Sequence, residues 1–199
     1  MIKKIKSLLK MNNYNFKNQK IPFVSKGEII SFNEKEFGGD INKYNFWRPH
    51  MCAVCCLKMA GDAIDKTNNI SLSLLLDKCL QGGVYKIDNN DVKGAFHFRL
   101  VKVMGELEIP AKVCKNINID QIINKINDGK IIFLSIDLQK VKNSIYKESH
   151  LILIYNYSHI RNEFRIHDCS SILSPDGNGV FITNEELSII SNKRGLIVG

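Results

Sequence analysis

Apolar residues recur at helical spacing through much of the first half of the chain. Residues 52–65 are apolar on nearly every side, which predicts a buried central helix because such a helix must be enclosed by protein. Residues 71–80 predict a second helix, and 119–126 predict another with one isoleucine-rich face. Between these two lies a predicted helix over 91–107, with Asp91 as its N-cap, because its apolar residues follow a 3.6-residue period.

The second half of the chain changes to β-prone runs separated by turns and polar loops. Residues 131–138 and 150–157 are the strongest of these runs, and a polar loop connects them. Thr183 and Glu186 form a capping box that predicts a last short helix. Shorter strands are predicted at 111–114, 164–167, 179–182 and 196–198. Helices followed by an antiparallel sheet are the pattern of an α+β fold.

Residues 1–44 lack clear periodicity, so we predict an N-terminal extension followed by one folded domain over 45–199. Apolar residues at the start of the chain, within 1–10, could form one or two amphipathic turns or a frayed, solvated terminus. The extension is compatible with an arm, a lid or a docking segment. Phe37-Gly-Gly-Asp40 predicts a turn within it.

The composition narrows the class of protein. With 199 residues, 44% of them hydrophobic and 24% charged, the chain can bury a core without metals or disulfides. No apolar run is long enough to span a membrane, and residues 1–10 lack the apolar core of a secretory signal. We therefore expect a cytoplasmic protein with reduced cysteines. The formal charge of +8 favours an acidic partner, but no Arg-rich cluster interleaved with aromatic residues predicts nucleic-acid binding.

Cys52 lies at the predicted N-terminus of the buried helix, where the chemistry of a thiol changes. The thiolate is the nucleophile, and a thiol with the usual pKa near 8.5 is only about 3% ionised at pH 7. Free N–H groups and the positive end of the helix dipole favour the anion, as does a neighbouring imidazolium. Cys55 and Cys56 lie one turn further on and are predicted to be core residues. Cys52 is therefore the candidate nucleophile.

His150 begins a predicted strand directly after a polar loop, a position from which its side chain can face a cleft. Asp168 follows the end of the next strand. If the two strands pair as a hairpin, the start of one lies beside the end of the other, and Asp168 can orient His150 by a hydrogen bond. Cys52, His150 and Asp168 then form a nucleophile, a base and an orienting acid.

A zinc site is the main alternative for these residue types. It would use the spacing Cys52-x-x-Cys55 together with His50. Zinc-binding cysteine pairs usually lie on knuckle turns and come with a second pair, which this chain lacks, and a redox Cys-x-x-Cys would need a preceding strand. We therefore expect neither a metal ion nor a cofactor. The histidines outside the triad are predicted to be structural or exposed; these are His50, His97, His159 and His167.

The segment Met51-Cys-Ala-Val-Cys-Cys-Leu-Lys-Met59 resembles the Asp-Cys-Gly-Pro-Ala-Cys-Leu-Ala-Met type of segment in double-glycine-leader (bacteriocin-processing) peptidases, which are papain-fold cysteine enzymes. Later motifs match in the same order: Gly94-Ala-Phe-His-Phe, Asn127-Asp-Gly-Lys-Ile-Ile-Phe-Leu-Ser135, His150-Leu-Ile-Leu-Ile-Tyr-Asn-Tyr and Arg165-Ile-His-Asp168. The resemblance covers roughly residues 45–199. It implies a papain-like catalytic domain with Cys52 as nucleophile, His150 as base and Asp168 as orienting residue.

The sequence departs from this family before the nucleophile. The family usually carries a Gln about six residues before the cysteine, as an oxyanion-hole donor, whereas this chain has Phe46 followed by Trp47. Asn45 is the nearest amide that could substitute, and Arg48 the nearest cation. Loss of an oxyanion-hole donor costs about 2.7–4 kcal/mol of transition-state stabilisation. An activated acyl thioester tolerates that loss better than a peptide does.

The sequence therefore favours an amide-forming acyltransferase of natural-product biosynthesis, similar to the papain-fold enzyme of polythioamide (closthioamide) assembly. Cys52 would accept an acyl group from a carrier-bound thioester and pass it to an amine. The +8 charge would suit an acidic acyl carrier protein. A cysteine peptidase acting on a peptide or leader sequence is the first alternative, and a catalytically inactive papain-like binding module is the second. The acyl donor, the acceptor and the oligomeric state stay open.

Overall fold

The computed structural model describes residues 14–17, 19–27, 34–89, 91–141, 145 and 148–199. The amphipathic turns considered for residues 1–10 lie outside these residues. The described part of the N-terminal half is mainly helical. Three of its helices were predicted, whereas those at Glu34–Phe37 and Ile41–Trp47 were not. Its helices are α1 (Glu34–Phe37), α2 (Ile41–Trp47), α3 (Cys52–Asp62), α4 (Leu72–Gln81) and α5 (His97–Glu106), with a 3₁₀ turn at Arg48–His50.

The ends of these helices have local causes. Asp40 follows the predicted Gly-Gly turn and caps α2, since its carboxylate accepts the N–H of Lys43 at 2.9 Å. Ser71 caps α4 through the N–H of Leu74 at 3.2 Å. Residues 53–61 of α3 are all buried, which confirms the predicted central helix. In the described part of the chain, no helix combines the length and the apolar character needed to cross a membrane.

The predicted helix over 91–107 is wrong in its first part. Asp91 does not cap a helix: Asp91–Lys93 is strand β2, paired antiparallel with β1 (Lys86–Asp88). Gly94 follows at φ +137°, a backbone conformation that side chains rarely adopt, and α5 begins only at His97. Val92 packs on the core from the hairpin, so its apolar character fitted both arrangements.

The second half forms a six-stranded antiparallel sheet in the order β3-β8-β4-β5-β6-β7. Its strands are β3 (Ala111–Lys115), β4 (Ile131–Asp137), β5 (Ser149–Ser158), β6 (Glu163–His167), β7 (Val180–Thr183) and β8 (Ser191–Val198), and the remaining helices are α6 (Ile119–Asn127) and α7 (Asn184–Ile190). Strand β8 starts earlier than predicted. The sequence did not indicate this start, because the polar first half of the strand contains none of the β-prone residues that mark the other strands.

The sheet is packed on both faces. Leu151 and Leu153 of β5 face the core that contains α3, α4 and α5. Ile152 and Ile154 alternate to the opposite face and pack with α6 and α7. This is an α+β architecture, as predicted. The buried strand β5 thus packs against α3 and fixes the position of that helix relative to the sheet.

Residues 14–17 and 19–27 belong to an extended segment that crosses the surface of the domain. The N–H of Phe16 donates to the carbonyl of Gly129 at 2.7 Å, and the N–H of Lys26 donates to the carbonyl of Cys169 at 3.0 Å. Phe16 and Ile21 are buried in the same core as α3. Helix α2 spans the division predicted between residues 44 and 45. That division stays a prediction.

Candidate active site

Cys52 is the first residue of α3, and the structure of the helix end determines what surrounds it. Met51 occupies the N-cap position, and no side chain caps the helix there. The N–H groups of the first helical turn have no acceptors within their own helix, so they point outward beside the Cys52 backbone. The sequence predicted this placement correctly. It provides local donors that can stabilise negative charge at the sulfur or on a bound carbonyl oxygen.

His150 and Asp168 lie next to each other, as predicted for two strands that pair as a hairpin. Strands β5 and β6 pair antiparallel, with Leu153 opposite His167, so the start of β5 lies next to the residue that follows β6. The Nε2 atom of His150 lies 2.8 Å from Oδ1 of Asp168, and both side chains are buried. This contact leaves Nδ1 as the ring nitrogen that can receive a proton from another group.

Asp168 is held by the loop that follows it. Its carboxylate accepts N–H groups from Ser170 at 3.0 Å, Ile172 at 2.7 Å and Leu173 at 2.9 Å. Burial alone would raise the pKa of Asp168, but the hydrogen bond to His150 and these backbone donors lower it overall. The carboxylate is therefore ionised and fixed in orientation, which is what a residue that positions an imidazole requires.

The thiol of Cys52 and the imidazole of His150 line the same cavities and interact electrostatically, and the backbone of Leu151 contributes to the environment of the sulfur. Burial opposes ionisation of Cys52, but the contact with His150 and the Leu151 N–H lower its pKa below the usual value. Burial likewise opposes charge on His150, yet its hydrogen bond to Asp168 and its interaction with Cys52 raise its pKa to about 10. The opposite directions of the two shifts favour a thiolate–imidazolium pair near neutral pH.

The other cysteines lie in different surroundings. Cys55, Cys56 and Cys79 are buried, and burial raises the pKa of Cys56 well above its usual value and that of Cys79 to about 12. The described residues contain no group of three or more His, Cys, Asp or Glu side chains arranged to hold a metal ion. His167 is structural: its Nδ1 accepts the N–H of Gly179 at 3.0 Å, and its Nε2 faces the carbonyl oxygen of Ile21 at 3.1 Å.

Two cavities meet at Cys52 and His150. One, of about 670 Å³, extends towards α5, β3 and β8 and is lined by exposed Phe96 and Phe98 and by the cations Lys115 and Arg194. The other, of about 600 Å³, extends in a second direction, towards the segment 25–27, the 3₁₀ turn and the loop after β6. The nucleophile therefore lies between two open arms of one cleft.

The structure separates the three candidates for a second oxyanion donor. Phe46, at the expected Gln position, is 43% exposed, and Asn45 is exposed and is not among the described residues lining either arm. Arg48 lines the second arm. One guanidinium nitrogen of Arg48 donates to the carbonyl of Gly27 at 3.4 Å, whereas its buried Nε has no partner among the described residues. The guanidinium carries five N–H donors, so those not bonded to Gly27 can serve a ligand in this arm.

The sequence did not reveal part of this cleft. Ser25, Lys26 and Gly27 line the second arm, and the charge on Lys26 contributes to the lowered pKa of Cys52. These residues belong to the segment for which no periodicity was found. His97, predicted to be structural or exposed, also lines the first arm. Neither the 25–27 stretch nor His97 carries a sequence pattern that distinguishes it from surface residues.

Comparison with solved structures agrees with the resemblance seen in the sequence. A C39-like peptidase from Bacillus anthracis superposes with a TM-score of 0.58 at 11% identity, over 90% of this chain and 94% of that one. This chain has the papain-like fold of the C39-type, double-glycine-motif peptidase domains. A double-glycine-motif protease from an AMS/PCAT transporter, solved with a leader peptide, gives a TM-score of 0.53 at 14% identity over 90% of this chain and 91% of that chain.

The peptidase domain of Streptococcus ComA, a bifunctional ABC transporter of a quorum-sensing pathway, gives a TM-score of 0.51 at 12% identity, over 76% of this chain and 92% of that domain. No family model and no curated protein matches the chain. At these identities the likeness establishes the fold, and the chemistry must be argued from the residues themselves.

Proposed function

We propose that this protein is a cysteine peptidase that cleaves a peptide through an acyl-enzyme on Cys52. The single observation that carries the proposal is the continuous chain of contacts from Cys52 to His150 and from His150 to Asp168, at the point where two cavities meet. The fold shared with C39-type peptidases supports the same class of reaction. This places the peptidase, the first alternative suggested by the sequence, ahead of amide synthesis.

In the first half of the proposed reaction, the Cys52 thiolate attacks the carbonyl carbon of the scissile peptide bond. The electron pair of the carbonyl moves onto oxygen, and the helix-end N–H of Cys52 stabilises that oxyanion. Collapse of the tetrahedral intermediate breaks the C–N bond. The imidazolium of His150 gives its proton to the departing amine, which leaves neutral imidazole and an acyl-thioester on Cys52.

In the second half, neutral His150 takes a proton from an incoming water molecule, and the resulting hydroxide attacks the thioester carbonyl. The C–S bond breaks, the carboxylic acid product leaves, and the pair returns to thiolate and imidazolium. Asp168 acts throughout as a positioning residue, because its ionised carboxylate holds the imidazole in orientation and stabilises its charged form.

We infer that Arg48 supplies the second oxyanion donor that the family draws from a Gln. Among the three candidates considered from the sequence, only Arg48 lines the cleft, and its one hydrogen bond within the described residues is the 3.4 Å contact with the carbonyl of Gly27. A guanidinium is a stronger donor than an amide because the bond is charge-assisted. With Arg48 in this role, the missing Gln no longer argues against cleavage of an unactivated peptide.

The lining of the first arm suggests the chemistry of the substrate. Phe98 is 55% exposed there and Phe96 39%, while Lys115 and Arg194 supply two cations and no described lining residue is acidic. A peptide with apolar side chains and one or more acidic residues would match this surface. A leader peptide that ends in a double-glycine motif, the substrate type named for one structural neighbour, is the first class to test.

Aminolysis of an acyl thioester is the second candidate function. It is favoured by the +8 charge, which would attract an acidic acyl carrier protein, and, if Arg48 does not act as the oxyanion donor, by Phe46 at the position of the family Gln. The two reactions share the Cys52 acyl-enzyme and differ only in whether water or an amine resolves it. A carrier-protein partner and a cytoplasmic location stay predictions.

The test offers the purified protein two substrates in parallel. One is a set of acidic, apolar peptides carrying Gly-Gly before the scissile bond, with Gly-Val peptides as controls; the other is a carrier-bound acyl thioester with a diamine. We expect peptide cleavage that is lost in Cys52→Ala and unchanged in Cys55→Ala. Amide product without peptide cleavage would assign the second candidate function, and no Cys52-dependent turnover of either substrate would contradict both.

A further inference from the structure

A third cavity, of about 630 Å³, lies between the N-terminal segment and the sheet. Its walls come from residues 16–21, from the end of α6, and from β5 and β6. None of its described lining residues belongs to either arm of the catalytic cleft. The reaction proposed at Cys52 makes no use of it.

The charges around this cavity all have one sign. Lys17, Lys20, Lys130 and Arg165 line it, and none of the described lining residues is acidic. Within the described residues, none of these four cations forms a salt bridge. Like charges gathered around a concave surface repel one another and focus a positive potential into it. A bound anion would remove that repulsion.

The wall that carries Arg165 is held rigid. The guanidinium lies over the rings of Tyr155, at 5.9 Å, and Phe181, at 5.5 Å. Tyr155 in turn stacks on His167 at 4.5 Å between ring centroids, and both ring nitrogens of His167 have backbone partners. Ring contacts on the face of a guanidinium restrict its position. A donor fixed in this way loses little entropy on binding.

The uncharged part of the lining also favours oxyanions. It contributes residues with amide and hydroxyl groups that can donate to phosphate oxygens: Gln19, Asn127, Asn156, Asn178 and Tyr155. The volume exceeds that of a single phosphate and lies within the range of small-molecule sites. The combination of several cations, neutral donors and a confined space fits a compact polyanion better than an extended polymer.

We propose that this cavity binds a small, multiply charged phosphate compound, either free pyrophosphate or the phosphate chain of a nucleotide. The ligand would bridge Lys17 and Lys20 of the N-terminal segment to Lys130 and Arg165 of the folded body. It would therefore stabilise the docking of that segment as well as satisfy the four cations. The proposal is independent of the reaction at Cys52.

Isothermal titration calorimetry tests it with pyrophosphate and with magnesium-free ATP, at constant ionic strength, using the full chain. We expect saturable binding of at least one of them. Lys20→Gln and Arg165→Gln should each weaken it on the order of tenfold or more, because each removes a charge-assisted hydrogen bond. The charge-matched control is Lys112→Gln, which changes an exposed lysine on β3, near the opposite edge of the sheet.

The tighter of the two ligands identifies the source of the phosphate groups. Both variants replace exposed side chains, and thermal unfolding of each checks that the fold is retained. Absence of binding by both compounds would overturn the proposal. Equal weakening by Lys112→Gln would also overturn it. So would a protein that binds a single-stranded oligonucleotide but neither pyrophosphate nor ATP, since each of these results would assign the affinity to the general positive charge of the surface.

Discussion

At the scale of single residues, the pair formed by Cys52 and His150 is determined by opposed shifts of two pKa values. The pKa of Cys52 lies below that of an ordinary thiol, and that of His150 is raised to about 10. As pH rises through the lower pKa, the thiolate forms; as pH rises through the upper one, the imidazolium is lost. The two values describe the pair rather than either residue alone.

We therefore predict a bell-shaped profile of kcat/KM against pH. Its acidic limb should lie below the usual range of a cysteine, and its alkaline limb near pH 10. In Asp168→Asn, loss of the carboxylate charge should move the alkaline limb to lower pH and reduce kcat/KM by roughly 10²- to 10⁴-fold. A profile in Asp168→Asn that coincides with wild type would show that Asp168 does not act on His150.

Arg48 makes a second prediction at this scale. Arg48→Met removes the guanidinium donors but keeps an unbranched side chain, so kcat should fall on the order of 10²- to 10³-fold with little change in KM. The rate of Cys52 alkylation should stay unchanged, because no oxyanion forms in that reaction. Arg161→Met, at an exposed site, is the control. Unchanged kcat in Arg48→Met would remove Arg48 from the oxyanion site.

At the scale of elements, the stability of the sheet that carries the site depends on the close approach of the backbones of β4 and β8. A Cβ at Gly195 of β8 would overlap the carbonyl group of Phe133 in β4. Gly195→Ala should therefore lower the free energy of unfolding by about 1–3 kcal/mol. Gly105→Ala is the matched control, since it is helical and has open space around it, and it should be neutral or stabilising. Chemical denaturation of both variants measures the difference, and equal stability would contradict this packing.

The elements also show what could be predicted from the sequence. The capping box at Thr183 and the apolar run of α3 have local causes, and both were predicted correctly. The hairpin of β1 and β2 was missed because Val92 fits a helical period equally well, and its true packing depends on residues distant in sequence. Helix period is a local signal, whereas strand pairing is set by tertiary contacts.

At the scale of the whole molecule, residues 14–27 are the part that the sequence described least well. Their apolar residues are too sparse for any period, yet Phe16 and Ile21 are buried in the main core and Lys26 lines the same arm of the cleft as Cys52. The triad itself was predicted because its three residues stand at the ends of regular elements. The lining supplied by an irregular segment has no such marker.

The burial of this segment yields a prediction for the folded chain. Phe16→Ala should reduce the free energy of unfolding by about 3 kcal/mol, in one cooperative transition, because a buried aromatic ring is lost from the shared core. Ile160→Ala, at a residue that is 98% exposed, should change little. If Phe16→Ala left stability unchanged, the segment would be a separable arm rather than part of the domain.

The central claim is that His150 activates Cys52, and competitive alkylation of the intact protein tests it most directly. Cys114 is an internal comparison, because its thiol is also partly exposed but burial raises its pKa. Between pH 6 and 7, iodoacetamide should label Cys52 at least about tenfold faster than Cys114, as mapped by mass spectrometry, and His150→Ala should abolish that advantage. Equal labelling of the two thiols, or a Cys52 rate unaffected by His150→Ala, would contradict the account.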